Sequence, residues 1–511
     1  MRPASPAASV RWPELNVLFN SYVFLLAFLP IALIGFFAIG RRHQRYAAAW
    51  LAAMSLVFYG WWNPRYVPIL LASIVVNFFF GRCIAACSPD RKARATALLV
   101  AALAIDLVAL AYFKYADFLI SNVAALTGLD LVLAHVVLPL GISFYTFTQI
   151  AYLVDTFRNK ATERKFLPYL LFVTYFPHLI AGPIIHHKDV MPQFARPETY
   201  RFSRKALAVG VVFLVLGLFK KCFLADGVAV YAGPVFAAAE QGHALGMLQA
   251  WGGALAYTFQ LYFDFSGYSD MAVGLSLMLN IRLPFNFDAP YKATSISDFW
   301  KRWHISLSTF LRDYVYIPLG GNRAGRYRRY QNLMITMLVG GMWHGADWTF
   351  VAWGGLHGVY LVVNHQWTAL RSRGSPPGRI EIAAGAVLTF LCVVVAWVFF
   401  RATSFHGAAT LLVSMAGLGD AASNVQATSL MNPVANWTWC IALLFVTTFL
   451  PNTQQFVARR ISDWPTITVG FRGATVAWAR PGFAVAAGLG LLAAFALMNL
   501  SRPSEFLYFN F

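Results

Sequence analysis

The sequence predicts an all-α integral membrane protein with about 11 to 13 transmembrane or re-entrant helices. Three observations carry that prediction. Hydrophobic residues fill 59% of the 511 positions and charged residues only 12%, roughly half the charged share of an average water-soluble domain. Apolar runs, several near the roughly 20 residues that span a hydrocarbon core, recur from close to one end of the chain to close to the other. The basic residues gather in short loops between those runs, such as Arg41-Arg42-His43-Gln44-Arg45 and Arg326-Tyr327-Arg328-Arg329. That placement follows the positive-inside rule and accounts for the excess of 40 Lys and Arg over 21 Asp and Glu without invoking nucleic acid, for which no basic stripe interleaved with exposed aromatics is present.

The first run, about 17–39, follows Arg2 and Arg11 but is too long for the core of a cleavable signal, usually about 7 to 15 residues, and reads as an uncleaved crossing. Runs at about 46–60, 66–81, 95–113 and 135–155 follow. Loops after the first, third and fifth runs are basic and those between are less so, which predicts an outside N-terminus and cytoplasmic odd-numbered loops. Further runs lie near 166–184, 206–226, 246–263, 268–283, 331–345, 347–366, 377–400, 436–450 and 482–500, and several are short or broken by Gly and Pro. Irregular backbone at membrane depth persists only where protein or a water-filled cavity satisfies its polar groups, so the breaks predict a site inside the protein. The least membrane-like middle segment, 286–331, mixes charges and aromatics as an amphipathic or half-buried helix would. The stretch 417–437 reads as an external loop. The five cysteines show no disulfide framework, and the spacing of Cys83 and Cys87 suits helix packing better than a metal.

Four segments concentrate polar chemistry. In LMITMLVGGMWHGADW (333–348), His344 follows two glycines within an apolar run, between Trp343 and Gly345. An ionisable side chain is costly there and usually faces a pathway, so function is its default reading, against a neutral ring satisfied by a carbonyl. In SISDFWKRWHISLSTFLRDYVYIPLGG (295–321), His304 and Ser308 would share a helix face, as would Trp300 and His304. An interfacial belt of aromatics with snorkelling cations, Lys301 and Arg302, explains that segment as well. In YFDFSGYSDM (262–271), Asp264 and Asp270 need partners: serine hydroxyls, a broken helix end, or the cations of 295–321. In YFPHLIAGPIIHHKD (175–189), Pro177 and Pro183 interrupt the helix, His178 reads as a packing or lining residue, and adjacent His186 and His187 point to different faces, so no metal pair is predicted.

These segments, with LPLGISFYTFTQIAYLVD (138–155), LIAGPI (179–184), YFDFSGYSDMA (262–272), SISDFWKRWHISLSTFLRDYVYIPLGGNR (295–323), GMWHGADWTFVAWGGLHG (341–358) and the ending EFLYFNF (505–511), resemble the membrane-bound O-acyltransferases, in particular their bacterial alginate O-acetyltransferase branch. The resemblance implies one polytopic domain over 1–511, with a family core at about 135–366 and peripheral helices at 17–113 and 377–500, and helices surrounding a central tunnel in a bacterial inner membrane. It implies that His344 is the catalytic histidine and His304 the second characteristic polar position, positioning a reactant or polarising a carbonyl. Candidate donor- or substrate-binding residues beside them are Trp303, Lys301, Arg302, Ser308, Trp343 and Asp264.

A neutral imidazole near pH 7 suits the implied chemistry, since it accepts the proton of an attacking hydroxyl. The expected donor is acetyl-CoA, used as a substrate with no tightly bound cofactor. Lys301, Arg302 and the Arg323 to Arg329 cluster would steer this anion to the cytoplasmic face. An acyl-enzyme on Ser306 or Ser308 is the lesser route. The expected acceptor is a secreted polysaccharide such as alginate, reached directly or through a periplasmic partner protein, with membrane lipids around the chain. The rival is a polysaccharide-export transporter or flippase subunit, which equally uses broken helices and intramembrane acids.

Overall fold

The computed structural model describes residues 18–129, 136–161, 165–243, 245–323, 325–371, 378–419, 432–458, 483–500 and Leu507. The anticipated loop at 417–437 and the 505–511 ending lie largely outside them. Among the described residues the regular structure is all helical. Four helices are long and apolar enough to cross a membrane: Pro64–Ala85, Lys92–Thr127, Arg204–Glu240 and Arg379–Arg401. Shorter apolar helices cover Phe24–Gly40, Phe405–Met415, Pro433–Phe449 and Ala486–Asn499.

The N-terminal helices α1 (Leu29–Gly40), α2 (Gln44–Trp62), α3 (Val67–Ala85) and α4 (Lys92–Thr127) are joined by short connections, as the basic loops predict. α5 (Ile142–Phe157) starts after Gly141, at φ 72°, a left-handed conformation for which glycine has no Cβ penalty. α5 is buried around most of its circumference, because it packs on α3 and α4 and not on lipid. α6 (Phe166–Thr174), the one-turn α7 (Phe176–Leu179) and α8 (His187–Phe194) form the broken stretch marked by Pro177 and Pro183. α9 (Arg204–Phe219) runs through a π turn at Lys220–Ala225 into α10 (Asp226–Glu240).

The expected runs at 246–263 and 268–283 are instead one helix, α11 (Met247–Met278), buried along almost its whole length. The polar break expected between them is interior: Asp264 and Asp270 are neutralised by Lys221 and Lys220, and Gly267 packs against Gly217. α11 joins two apolar cores. Ala254 to Phe265 belong to a core shared with α10 and the C-terminal helices, whereas Tyr268 to Met278 belong to one shared with α1, α2 and α5.

Between α11 and the next long helix, the predicted half-buried helix is two short ones, α12 (Ile296–Arg302) and α13 (Ile305–Leu311), followed by a π turn at Arg312–Tyr316. α14 (Gly325–His344) and α15 (Trp348–Arg371) then pack as a hairpin around Gly341 and Gly354, where an added Cβ at either would lie 3.2 Å from the Cα of the other. α16 (Arg379–Arg401), α17 (Phe405–Met415), α18 (Pro433–Phe449), α19 (Thr453–Ala458) and α20 (Phe483–Asn499) complete the described helices.

Candidate active site

His304 stands at the reversal between α12 and α13 with φ 44° and ψ 55°, a conformation that a side chain with a Cβ adopts only when its surroundings impose it. The surroundings are explicit. Ile305 N–H donates to the Asn286 carbonyl at 2.9 Å, and Asp288 N–H donates to the Arg302 carbonyl at 2.9 Å, so the chain on both sides of His304 is tied to 286–288. Ser306 donates its hydroxyl to Asn286 Oδ1 at 2.6 Å and accepts from Ile184 N–H at 2.9 Å. This reversal corrects the expectation that Trp300 and His304 share one helical face: the helix ends before His304 and restarts after it.

His344 closes α14 immediately before the irregular step at 345–347. Its ring lies among Trp343 (4.9 Å between centroids), Trp353 (5.1 Å), Phe400 (5.1 Å) and His304 (6.3 Å). The structure therefore brings together the two histidines that sequence singles out, 40 positions apart (344 − 304 = 40). His304 is fully buried, His344 is 6% exposed, and Nε2 of His344 has no hydrogen-bond partner among the described residues. In an apolar surround such a nitrogen is a high-cost feature unless something it binds repays the burial. Beside it lies a cavity of about 480 Å³ whose walls include Lys114, Asp117, Gly345, Asp347, Phe400 and Arg401.

The other anticipated residues divide. Trp343 stacks on Phe147 at 5.4 Å and meets His304 at 5.9 Å, so it belongs to the site's wall. Trp303 is one residue from His304 but buried in an aromatic stack with Phe299 (5.6 Å) and Trp397 (4.9 Å). Ser308 donates its hydroxyl to the Trp303 carbonyl at 3.3 Å. Arg302 pairs with Asp298 at 2.9 Å on the flank of α12, and Lys301 is exposed; neither lines the cavity beside His344. Asp264 is 1% exposed and ion-paired with Lys221 at 2.6 Å, not with a cation of 295–321. Its neighbour Phe265 meets the His304 ring nearly at right angles, with centroids 4.7 Å apart. His178 is a packing residue as expected, bonded through Nε2 to the Phe172 carbonyl at 2.8 Å.

Sequence reasoning passed over Lys114, Trp353, Phe400 and His357. His357 is fully buried, and its Nδ1 accepts from Trp300 Nε1–H at 3.3 Å. His357, an ionisable side chain that also interrupts an apolar run, carries the same burial cost that singles out His344. Lys114 directly follows the run at 95–113 and was hidden by the placing of that run's edge.

Residues 158–405 match the profile of MBOAT, the membrane-bound O-acyltransferase family. The chain is 36% identical to the peptidoglycan O-acetyltransferase of Helicobacter pylori over 97% of its own length and 98% of that protein's. It is 43% identical to the probable alginate O-acetylase AlgI of Pseudomonas putida, over 79% and 81% of the two chains. To the protein of that name from Azotobacter vinelandii it is 38% identical, over 97% and 100%.

Proposed function

The chain belongs to the membrane-bound O-acyltransferase family and is an O-acyltransferase, and on that premise we propose that it moves an acetyl group from cytosolic acetyl-CoA to a hydroxyl of a secreted polysaccharide, with His344 as general base. Membership removes the export-transporter reading. Alginate and peptidoglycan, named for the relatives, are the acceptor classes to test first, with the acetyl group delivered directly or through a partner protein outside a bacterial inner membrane.

The observation that carries the reading is the unpartnered, buried Nε2 of His344, whose ring meets His304 and Phe400, the latter, like the next residue Gly345, in the wall of the 480 Å³ cavity. With its proton on Nδ1, the ring offers Nε2 as acceptor for the acceptor's O–H proton. The hydroxyl oxygen bonds to the thioester carbonyl carbon and negative charge develops on the carbonyl oxygen. Collapse breaks the C–S bond, and the imidazolium returns its proton to the departing thiolate. His304, held across from His344 by the constrained reversal, is assigned to polarise that carbonyl. An acyl-enzyme on Ser306 is disfavoured, since its hydroxyl is already committed to Asn286 and Ile184.

Steering of the donor by Lys301 and the Arg326 to Arg329 end of α14 remains part of the proposal as long-range attraction, since these residues lie outside the site wall. The test is purified protein in vesicles with labelled acetyl-CoA and oligosaccharide acceptors. His344→Ala should keep its fold and donor binding while transfer falls by about 10²- to 10⁴-fold, the usual worth of a histidine base. Full activity in that variant would remove His344 from the chemistry.

A further inference from the structure

We propose that Lys114 is a positioning residue for His344, its ammonium holding the end of the helix that carries the imidazole; the inference rests on His344 being the base. α14 stops at His344, so the carbonyls of its last four residues, Gly341 to His344, have no partner within the helix. Three of them are met by two consecutive residues of α4. Lys114 Nζ donates to the carbonyls of Trp343 and of His344, the latter at 3.1 Å, and Tyr115 Oη donates to the Met342 carbonyl at 2.5 Å. The ammonium also lies 5.8 Å from the centroid of the Trp343 ring.

The same face of α4 holds the far side of the break. One turn on from Lys114, Phe118 packs against Trp348 with centroids 5.6 Å apart, and a turn later Asn122 Oδ1 accepts from Trp348 Nε1–H at 2.8 Å. α4 thus grips the last residues of α14 and the first residue of α15, leaving only 345–347 between them. Rotation of the His344 backbone would be absorbed in that short step, and Lys114 opposes it. A cation suits the place better than a neutral donor, because the C-terminal end of a helix carries partial negative charge. Arginine could keep both the charge and the paired donors; methionine matches the length and volume of the stem with neither.

The experiment measures kcat and donor KM for Lys114→Met, Lys114→Arg and Tyr115→Phe, with His344→Ala alongside. Misplacing the base by about 1 Å predicts that Lys114→Met lowers kcat about 100-fold with donor KM held within about threefold, and that Lys114→Arg recovers kcat to within about tenfold of the parent. Tyr115→Phe, which removes one carbonyl bond and no charge, should lower kcat about fivefold. A Lys114→Met enzyme with parental kcat overturns the inference, as does an equal loss in Lys114→Arg accompanied by a raised KM. If Lys114→Met cannot be recovered folded, an unchanged kcat in Tyr115→Phe overturns it instead. An active His344→Ala would refute the base assignment itself, whereas an inactive His344→Ala beside a fully active Lys114→Met refutes only the role of Lys114.

Discussion

Lys220 and Lys221, consecutive residues of the π turn, take up the two acids that stand out in the middle of α11: Lys220 meets Asp270 at 2.6 Å, and Lys221 meets Asp264 at 2.6 Å and Asp226 at 2.7 Å. A π turn widens the helix by one residue, which lets successive side chains serve targets along one neighbouring helix. Lys221 and Asp264 are 2% and 1% exposed, and the one lysine serves two carboxylates, so removing Lys221 strands buried charge whereas removing Asp264 leaves Lys221 its pair with Asp226. Lys221→Met is therefore expected to cost about 3–5 kcal/mol, seen as a lower Tm in detergent, and Asp264→Ala less, with donor KM in the folded Asp264→Ala protein at the parental value. Lys221→Met combined with Asp264→Leu should be less destabilised than Lys221→Met alone, because one of the two stranded carboxylates is gone; additive losses would mean that the two groups are not coupled. A raised donor KM in the Asp264 variant would instead return that residue to the binding site, where sequence reasoning put it. Sequence alone exposes both acids, because carboxylates in an apolar run need partners. It hides which cations answer them, because the lysines come from another helix at no regular spacing.

At the scale of elements, α9 and α11 meet along a glycine seam. A Cβ on Gly217 would stand 2.6 Å from the Gly267 carbonyl oxygen, and one on Gly210 would stand 2.5 Å from that of Gly274. The reciprocal contacts are equally short, at 2.8 Å and 2.6 Å, so the two backbones touch at both levels. Helices in lipid gain little from apolar burial against one another, and close backbone approach through small residues is what holds such pairs. Gly217→Ala is therefore expected to cost about 1–3 kcal/mol by forcing α9 off α11, measured as a drop in Tm. Gly488→Ala is the control: nothing lies within 4 Å of the added Cβ, and replacing a helical glycine there should be neutral or stabilise by about 0.5–1 kcal/mol. The seam also explains why α11 looked like two runs. Ser266, Gly267, Ser269 and Asp270 lower local hydropathy as a broken crossing would, yet here they are small because α9 is close and charged because Lys220 is opposite. The reversal at His304 was illegible for the converse reason. Its neighbours keep helical spacing, and the turn is imposed by Asn286, which no local pattern connects to it.

For the whole molecule, helix length and loop charge together give the chemistry a side. From Lys92 to Lys114 along α4 is about 33 Å, and from Gly325 to His344 along α14 is about 29 Å, at 1.5 Å per residue. Both helices begin among basic residues, Arg91 and Arg94 for α4 and Arg326, Arg328 and Arg329 for α14. Each therefore travels about one hydrocarbon thickness from its basic end before reaching the site. With the basic ends in the cytoplasm, His344 and its cavity fall near the opposite face, where the proposed secreted acceptor would present its hydroxyl and to which the acyl group of the proposed cytosolic donor would travel through the protein. The alternation of charge along the loops is what predicts this orientation. The ring of residues from α4, the 345–347 step, α15 and α16 that walls the cavity was not readable, since it depends on which helices become neighbours. The orientation has a direct test on a variant with all five native cysteines replaced, carrying Thr403→Cys or Arg328→Cys in intact cells whose outer barrier has been opened. Thr403 lines the cavity and Arg328 lies at the basic start of α14. A membrane-impermeant maleimide is expected to label the cysteine at 403 at once and the one at 328 only after the inner bilayer is permeabilised. The reverse order would turn the molecule over, set the cavity of His344 in the cytoplasm, and leave acetyl-CoA with no membrane to cross before it is used.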